Sequence, residues 1–202
     1  MVSNTQLKDV FGLRSQFKKI PFSDVVLQSS GHIVIPIDLT NQSDNQLIKS
    51  LVHALNNLLR VSKQTSQSFQ GQRINDVGKN IENLIFEEVK KGSLSMTKLG
   101  SSGYPDFVID QGGRMTYLEM KTTGNIHKDT TQHRMFYYSS GKKIKHDARH
   151  LLLQVQMEEE SSKHWKIVSW QLRDFSALKV GLKTEFNANF KDFGNTILLA
   201  SG

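Results

Sequence analysis

The chain has 202 residues, a formal net charge of +7 and a pI near 9.5, which suits one domain or a domain with an extension and points to a polyanionic partner. It contains no cysteine, so disulfide frameworks, zinc–thiolate sites and thiol chemistry are excluded. No segment approaches the ~20 apolar residues of a membrane span and the N-terminus lacks the apolar core of a signal peptide, so a cytoplasmic protein is expected.

In chain order, residues 1–30 are weakly patterned. The apolar run from His32 to Leu39, within Gly31–Thr40, predicts a strand, and Pro36 keeps it out of a fully paired central position because proline cannot donate to the ladder. Ser43-Asp-Asn-Gln46 resembles a capping box. It introduces Leu47, Ile48, Leu51, Val52, Leu55, Leu58 and Leu59, a helical stripe that fits a core face, with a dimer interface as the alternative. Ser62 to Gln72 reads as a polar loop. A second helix is predicted over roughly Ile74 to Lys91, apolar at Ile74, Val77, Ile81, Leu84, Ile85 and Val89, with Gly92 placed to stop it. Glu82 lies at the margin of that stripe and Glu88 near its middle. Leu94 to Leu99 predicts a short strand, and Gly100-Ser-Ser-Gly103 gives a small, flexible approach to the segment that follows.

That segment, Tyr104 to Thr123, organises the rest. Gly112-Gly113 signal a tight hairpin turn, because paired glycines accept the positive φ angles that two-residue turns demand. Facing residues then have numbers summing to 225, which sets Asp106 opposite Glu119 and Asp110 opposite Met115. Phe107, Ile109, Leu118 and Met120 point to one face, fit for a core, and Asp106, Glu119 and Lys121 share the other. Two carboxylates so placed repel, and a divalent cation is the natural compensation, since Mg²⁺ takes one or two carboxylates and keeps several waters. Lys121 could orient a water there or stabilise charge on a phosphate. The plain alternative is a surface hairpin whose polar face happens to read Asp, Glu, Lys.

Pro105-Asp106, twelve residues, then Glu119-Met120-Lys121 resembles the signature of the PD-(D/E)XK nucleases, the superfamily of type II restriction endonucleases and several repair nucleases. The resemblance implies Asp106 and Glu119 as Mg²⁺ ligands, Lys121 as the catalytic lysine, and an α/β fold with a mixed central β-sheet flanked by helices, the restriction endonuclease-like core. The preceding helix of that superfamily often carries an acidic residue near the site. Gly78-x-x-Ile81-Glu82-x-x-Ile85 is similar to it, which implies Glu82, with Glu88 in reserve.

Beyond the hairpin, Asn125 to His150 holds Lys128, Arg134, Lys142, Lys143, Lys145 and Arg149 against two acids, with Phe136, Tyr137 and Tyr138 interleaved. Such a stretch fits phosphate and base contacts, with Lys128, Arg134, Lys142 and Lys143 the expected DNA-binding residues. Its four histidines lack metal-ligand spacing. His150 to Met157 predicts a buried strand, Glu158 to Glu160 an acidic turn, and Trp165 to Leu172 another strand, with Trp170 and Leu172 as packing residues. The expected organisation is a single nuclease domain over 1–202, with 1–70 an extension for dimerisation or DNA binding and 71–202 the catalytic core.

The leading expectation is a Mg²⁺-dependent, sequence-specific double-stranded DNA endonuclease that acts as a homodimer. The resemblance implies products with 5′-phosphates. A structure-specific repair or Holliday-junction-resolving nuclease of the same fold is the runner-up, and a cleavage-deficient DNA-binding protein is the third reading.

Overall fold

The computed structural model describes residues 19–100, 103–126, 138 and 141–181. Pro21–Leu178 forms one compact unit. The other, Met1–Ile20 with Lys179–Gly202, lies almost wholly outside the described residues.

Six strands of the larger unit form one sheet: β1 (Phe69–Gln70), β2 (Ser95–Lys98), β3 (Phe107–Gln111), β4 (Arg114–Thr123), β5 (Arg149–Ser161) and β6 (His164–Asp174). Their spatial order is β1-β6-β5-β4-β3-β2. Neighbours are antiparallel except β4 and β5, which run parallel. The sheet is therefore mixed, with β4 and β5 its one parallel pair. Helices α1 (Phe22–Ser30), α2 (Gln42–Gln64) and α3 (Ile74–Lys90) flank it. This is the mixed, helix-flanked α/β architecture expected. Among the described residues, no helix is long and apolar enough to cross a membrane.

The β3–β4 hairpin has the predicted register: Phe107 faces Leu118 and Asp110 faces Met115. Gly112 and Gly113 both carry positive φ, at 63° and 86°, which is why glycine stands at both turn positions. Phe107, Ile109, Leu118 and Met120 point into the main core with Leu151, Leu153 and Val155 of β5. Val77, Ile81 and Ile85 of α3 and Leu47, Leu51, Leu55 and Leu58 of α2 close that core. Each such side chain contributes about 1.5–3 kcal/mol by leaving water, and the α2 stripe is thus spent on the core. Trp170 and Leu172 pack at its margin. On the opposite sheet face, Phe22 of α1 meets Tyr104, His150 and Phe175 edge-on.

Several local expectations are corrected. The 31–40 run makes only an isolated bridge, Val34 to Ala148. The Ile37 amide beyond Pro36 goes to Asp174 Oδ2 at 3.0 Å instead of to a strand. The cap of α2 is Asn41, whose side chain accepts from the Ser43 and Asp44 amides, and the Ser43 turn lies inside the helix. Residues 22–30 form α1 despite their weak pattern. The 62–72 loop is shorter than expected, because α2 runs to Gln64 and Phe69–Gln70 adds an edge strand. The acidic Glu158–Glu160 stretch remains in β5, and the reversal comes later, where Lys163 takes φ 65°.

Candidate active site

The site forms where α3 and β2 approach the open end of the hairpin. Asp106 immediately precedes β3 and is held on two sides. The Leu99 amide donates to its carbonyl at 2.9 Å, and the Met120 amide donates to its Oδ2 at 2.8 Å. Its carboxylate is half-buried and fixed over β4.

Glu119, from β4, is 2 % exposed. Its Oε1 receives the Lys121 ammonium at 2.6 Å, while Oε2 is buried with no hydrogen-bond partner. Burial pushes the Glu119 carboxyl up to about 7, the Asp106 carboxylate adds to that, and Lys121 opposes it. Burial thus makes this acid hard to ionise even with an ammonium against one oxygen. Desolvation outweighs a single ion pair.

Glu82 arrives from α3 because that helix comes close to the sheet at Gly78. A Cβ there would lie 3.4 Å from Thr122 Oγ1, and the Thr122 hydroxyl donates to the Ile74 carbonyl at 3.4 Å. Glu82 is one turn further along the same helix face. Burial raises its pKa, the Asp106 charge raises it further, and Lys121, Lys98 and Lys79 work against that rise. Glu82, Asp106 and Lys121 line one cleft of about 600 Å³. Glu88 does not belong to it. Its carboxylate is bonded by the Asn57 amide and by the Lys91 ammonium at 2.6 Å, and that Lys91 bond, followed by opposing burial, leaves its pKa lowered.

Among the described residues no cluster of three or more His, Asp or Glu gathers into a ready-made metal cage. Asp106 and Glu119 instead offer two hard oxygen donors, Asp106 from the cleft lining and Glu119 through a buried, unpartnered Oε2. That donor set fits a cation that needs few carboxylates and retains its waters.

The basic residues divide. Lys128 and Arg134 lie outside the described residues. Lys142 is exposed on a 3₁₀ turn, Gly141–Lys143. Lys143 points inward, its Nζ donating to the carbonyls of Gly103 at 2.5 Å and Pro105 at 3.0 Å. Sequence reasoning missed Lys79 and Lys98, which line the cleft together with Asn75 and Asn83. Lys98 donates to Asn83 Oδ1 and lies 4.8 Å from the centroid of the Phe86 ring. The available signal was position: Lys79 follows Gly78 on α3, and Lys98 ends the strand that leads to Asp106.

Behind the site, Tyr104 OH and His150 Nδ1 share a hydrogen bond of 2.5 Å, with the two rings stacked at 14°. Burial holds the His150 imidazole down at about 4 and raises Tyr104 well above the usual phenol range. Both are therefore neutral at physiological pH.

Comparison with known proteins adds two findings. The family model of the type II restriction enzyme MjaV family matches residues 15–195. A curated protein described as type II restriction enzyme MjaV, from Methanocaldococcus jannaschii, is 33 % identical over 197 residues, covering 87 % of this chain and 85 % of the relative.

Proposed function

This chain belongs to the type II restriction enzyme MjaV family and is thus a site-specific deoxyribonuclease, and we propose that it cleaves duplex DNA in a Mg²⁺-dependent reaction centred on Asp106, Glu119, Lys121 and Glu82. The observation that carries the chemistry is the Glu119 carboxylate, buried beside Asp106 with one oxygen unpartnered. Asp106 and Glu119 would hold the ion, which supplies Lewis-acid polarisation of the scissile phosphate and acidifies a water for in-line attack.

The residues of the chain have distinct tasks. Asp106, fixed by the Met120 amide, offers its carboxylate in one orientation. Glu119 would hold the ion as a carboxylate, the form that nearby positive charge favours against the burial that raises its pKa. Lys121, paired with Glu119 at 2.6 Å, would stabilise the charge that develops on the phosphate. Glu82, sharing the cleft, would accept hydrogen bonds from water bound at the site. Lys79, Lys98 and Asn83 would receive neighbouring phosphates of the strand. Lys128, Arg134 and Lys142 would supply further contacts to the duplex. A homodimer is the simplest way to cut both strands of a palindromic site, each cut leaving a 5′-phosphate. We assign this activity to one nuclease domain acting in the cytoplasm.

Digestion of supercoiled and branched DNA with and without Mg²⁺ tests the proposal. Discrete fragments that appear with Mg²⁺ and vanish with chelator are expected. Cleavage confined to branched substrates, or undiminished cleavage in chelator, would overturn it.

A further inference from the structure

We propose that Lys143 is a positioning residue for Asp106 and not a DNA contact, an inference that rests on the assignment of Asp106 to the ion site. The two carbonyls that its ammonium bonds, those of Gly103 and Pro105, bracket Tyr104 on the loop into β3. The Pro105 carbonyl belongs to the same peptide unit as the Asp106 nitrogen. Fixing that plane restricts the direction in which the Asp106 side chain leaves the backbone. Hydrogen bonds from an ammonium are roughly twice as strong as neutral ones, and this one ammonium makes two.

The base of Lys143 is itself immobilised, as a positioning device requires. Gly141 lies so close to α1 that a Cβ would meet the Ser29 carbonyl oxygen at 2.5 Å, so no side chain fits there. The Ile144 amide closes the turn on the Gly141 carbonyl at 3.0 Å, and Ile144 is buried. The loop is thus gripped by Lys143 on one side. On others it is held by the Tyr104–His150 bond and by the Leu99 and Met120 amides on Asp106. Lys142, the neighbour in sequence, is exposed. One lysine of the pair is free for a polyanion and the other is occupied.

The test compares Lys143→Met, Lys143→Arg and Lys142→Met in the full chain. Three readouts are taken: amide hydrogen exchange at Leu99 and Met120 without metal, Mn²⁺ affinity by calorimetry, and DNA affinity against salt without metal. Lys143→Met should speed exchange at those two amides while β5 and β6 amides keep their rates. It should weaken Mn²⁺ about 10–100-fold, as loss of a group supporting a metal ligand does. Its DNA salt slope should stay at the wild-type value, and Lys143→Arg, which can still donate to both carbonyls, should recover most of the Mn²⁺ affinity. Lys142→Met should do the reverse. A salt slope flattened by about one in Lys143→Met, with unchanged amides, would make Lys143 a phosphate contact and overturn the proposal. So would exchange accelerated uniformly over the sheet, or no change in any readout. If Lys143→Met fails to fold, Lys143→Gln is read on the same amides. A wild-type protein that binds no Mn²⁺ would sink the ion assignment, while the amide rates still decide the role of Lys143.

Discussion

Two carboxylates in this protein are both withdrawn from solvent and oppositely balanced. Asp44, in the first turn of α2, and Glu119, on β4, are each 2 % exposed. Asp44 receives Arg149 at 2.7 Å and Arg114 at 3.2 Å on one oxygen, and the Asp38 amide at 3.0 Å on the other. Burial opposes its charge, but the Asp38 amide and the two guanidiniums win and hold the carboxyl below the usual aspartate range. Glu119 has one ammonium, one acidic neighbour and one bare oxygen, and burial wins instead. The first arrangement satisfies its own charge and ties α2 to the β4 and β5 strands. The second lacks positive charge, which is what the proposed cation would supply.

Removing the undermatched carboxylate should have the largest effect and spare the fold. Glu119→Ala and Asp106→Ala should each cut the rate of DNA cleavage by on the order of 10³-fold or more, the scale for losing a preorganised electrostatic group. Thermal melting of metal-free Glu119→Ala should hold or rise slightly, because repulsion is relieved, whereas Asp106→Ala also gives up the Met120 amide bond. Wild-type rates with Mg²⁺ in either variant would break the contrast. Lys121→Ala should lose most activity yet keep Mg²⁺ binding by calorimetry, since its ammonium is a partner of the site and not a ligand.

The matched carboxylate should behave the opposite way. Asp44→Ala leaves two arginines together, Arg149 deeply buried, and should cost about 3–5 kcal/mol of stability by denaturant titration. The cleavage rate of the fraction that remains folded should be unchanged. A neutral effect on stability would mean that the triad is no better than apolar packing.

Acidity separates the two in a graded way. Native Glu119 keeps its proton up to about 7, whereas the unfolded chain releases it near the ordinary 4.5. Its contribution is therefore fully present below 4.5 and is lost as pH rises through about 7, a swing of up to about 3 kcal/mol at 1.36 kcal/mol per unit. Asp44, with a lowered pKa, contributes above the aspartate range and loses that only on strong acidification. His150, held at about 4 against an ordinary 6.5, costs stability as pH falls between those values. The readout is accordingly the difference between wild type and Glu119→Gln, which should shrink the metal-free stability slope from pH 4.5 to 7. Mg²⁺ affinity of the wild type should rise across the same window, because binding expels the proton.

The smallest effect expected is at the surface. Lys142→Ala should lower DNA affinity modestly and flatten the slope of log affinity against log salt by about one. An unchanged slope would move the duplex toward Lys79 and Lys98.

What the sequence determined by itself is the hairpin and the faces of its helices. The Gly112-Gly113 turn and period-two alternation are interactions among near neighbours. They fixed the register that brings Asp106 to Glu119 and put Phe107, Ile109, Leu118 and Met120 in the core. The periodicity of α2 and α3 likewise named their buried stripes. Tertiary structure decided what depends on contacts remote in the chain. Family resemblance favours Glu82 over Glu88, but it is the seating of Gly78 against Thr122 that puts Glu82 in the cleft and leaves Glu88 to Asn57. Asp44 finds Arg114 and Arg149 only because β4 and β5 pair in parallel, and no local pattern announces that pairing. Lys142 and Lys143 read alike as basic residues. Only the packing of Gly141 against α1 and the carbonyls of a loop nearly forty positions earlier distinguish them, because a lysine's role is set by which acceptors its flexible stem can reach.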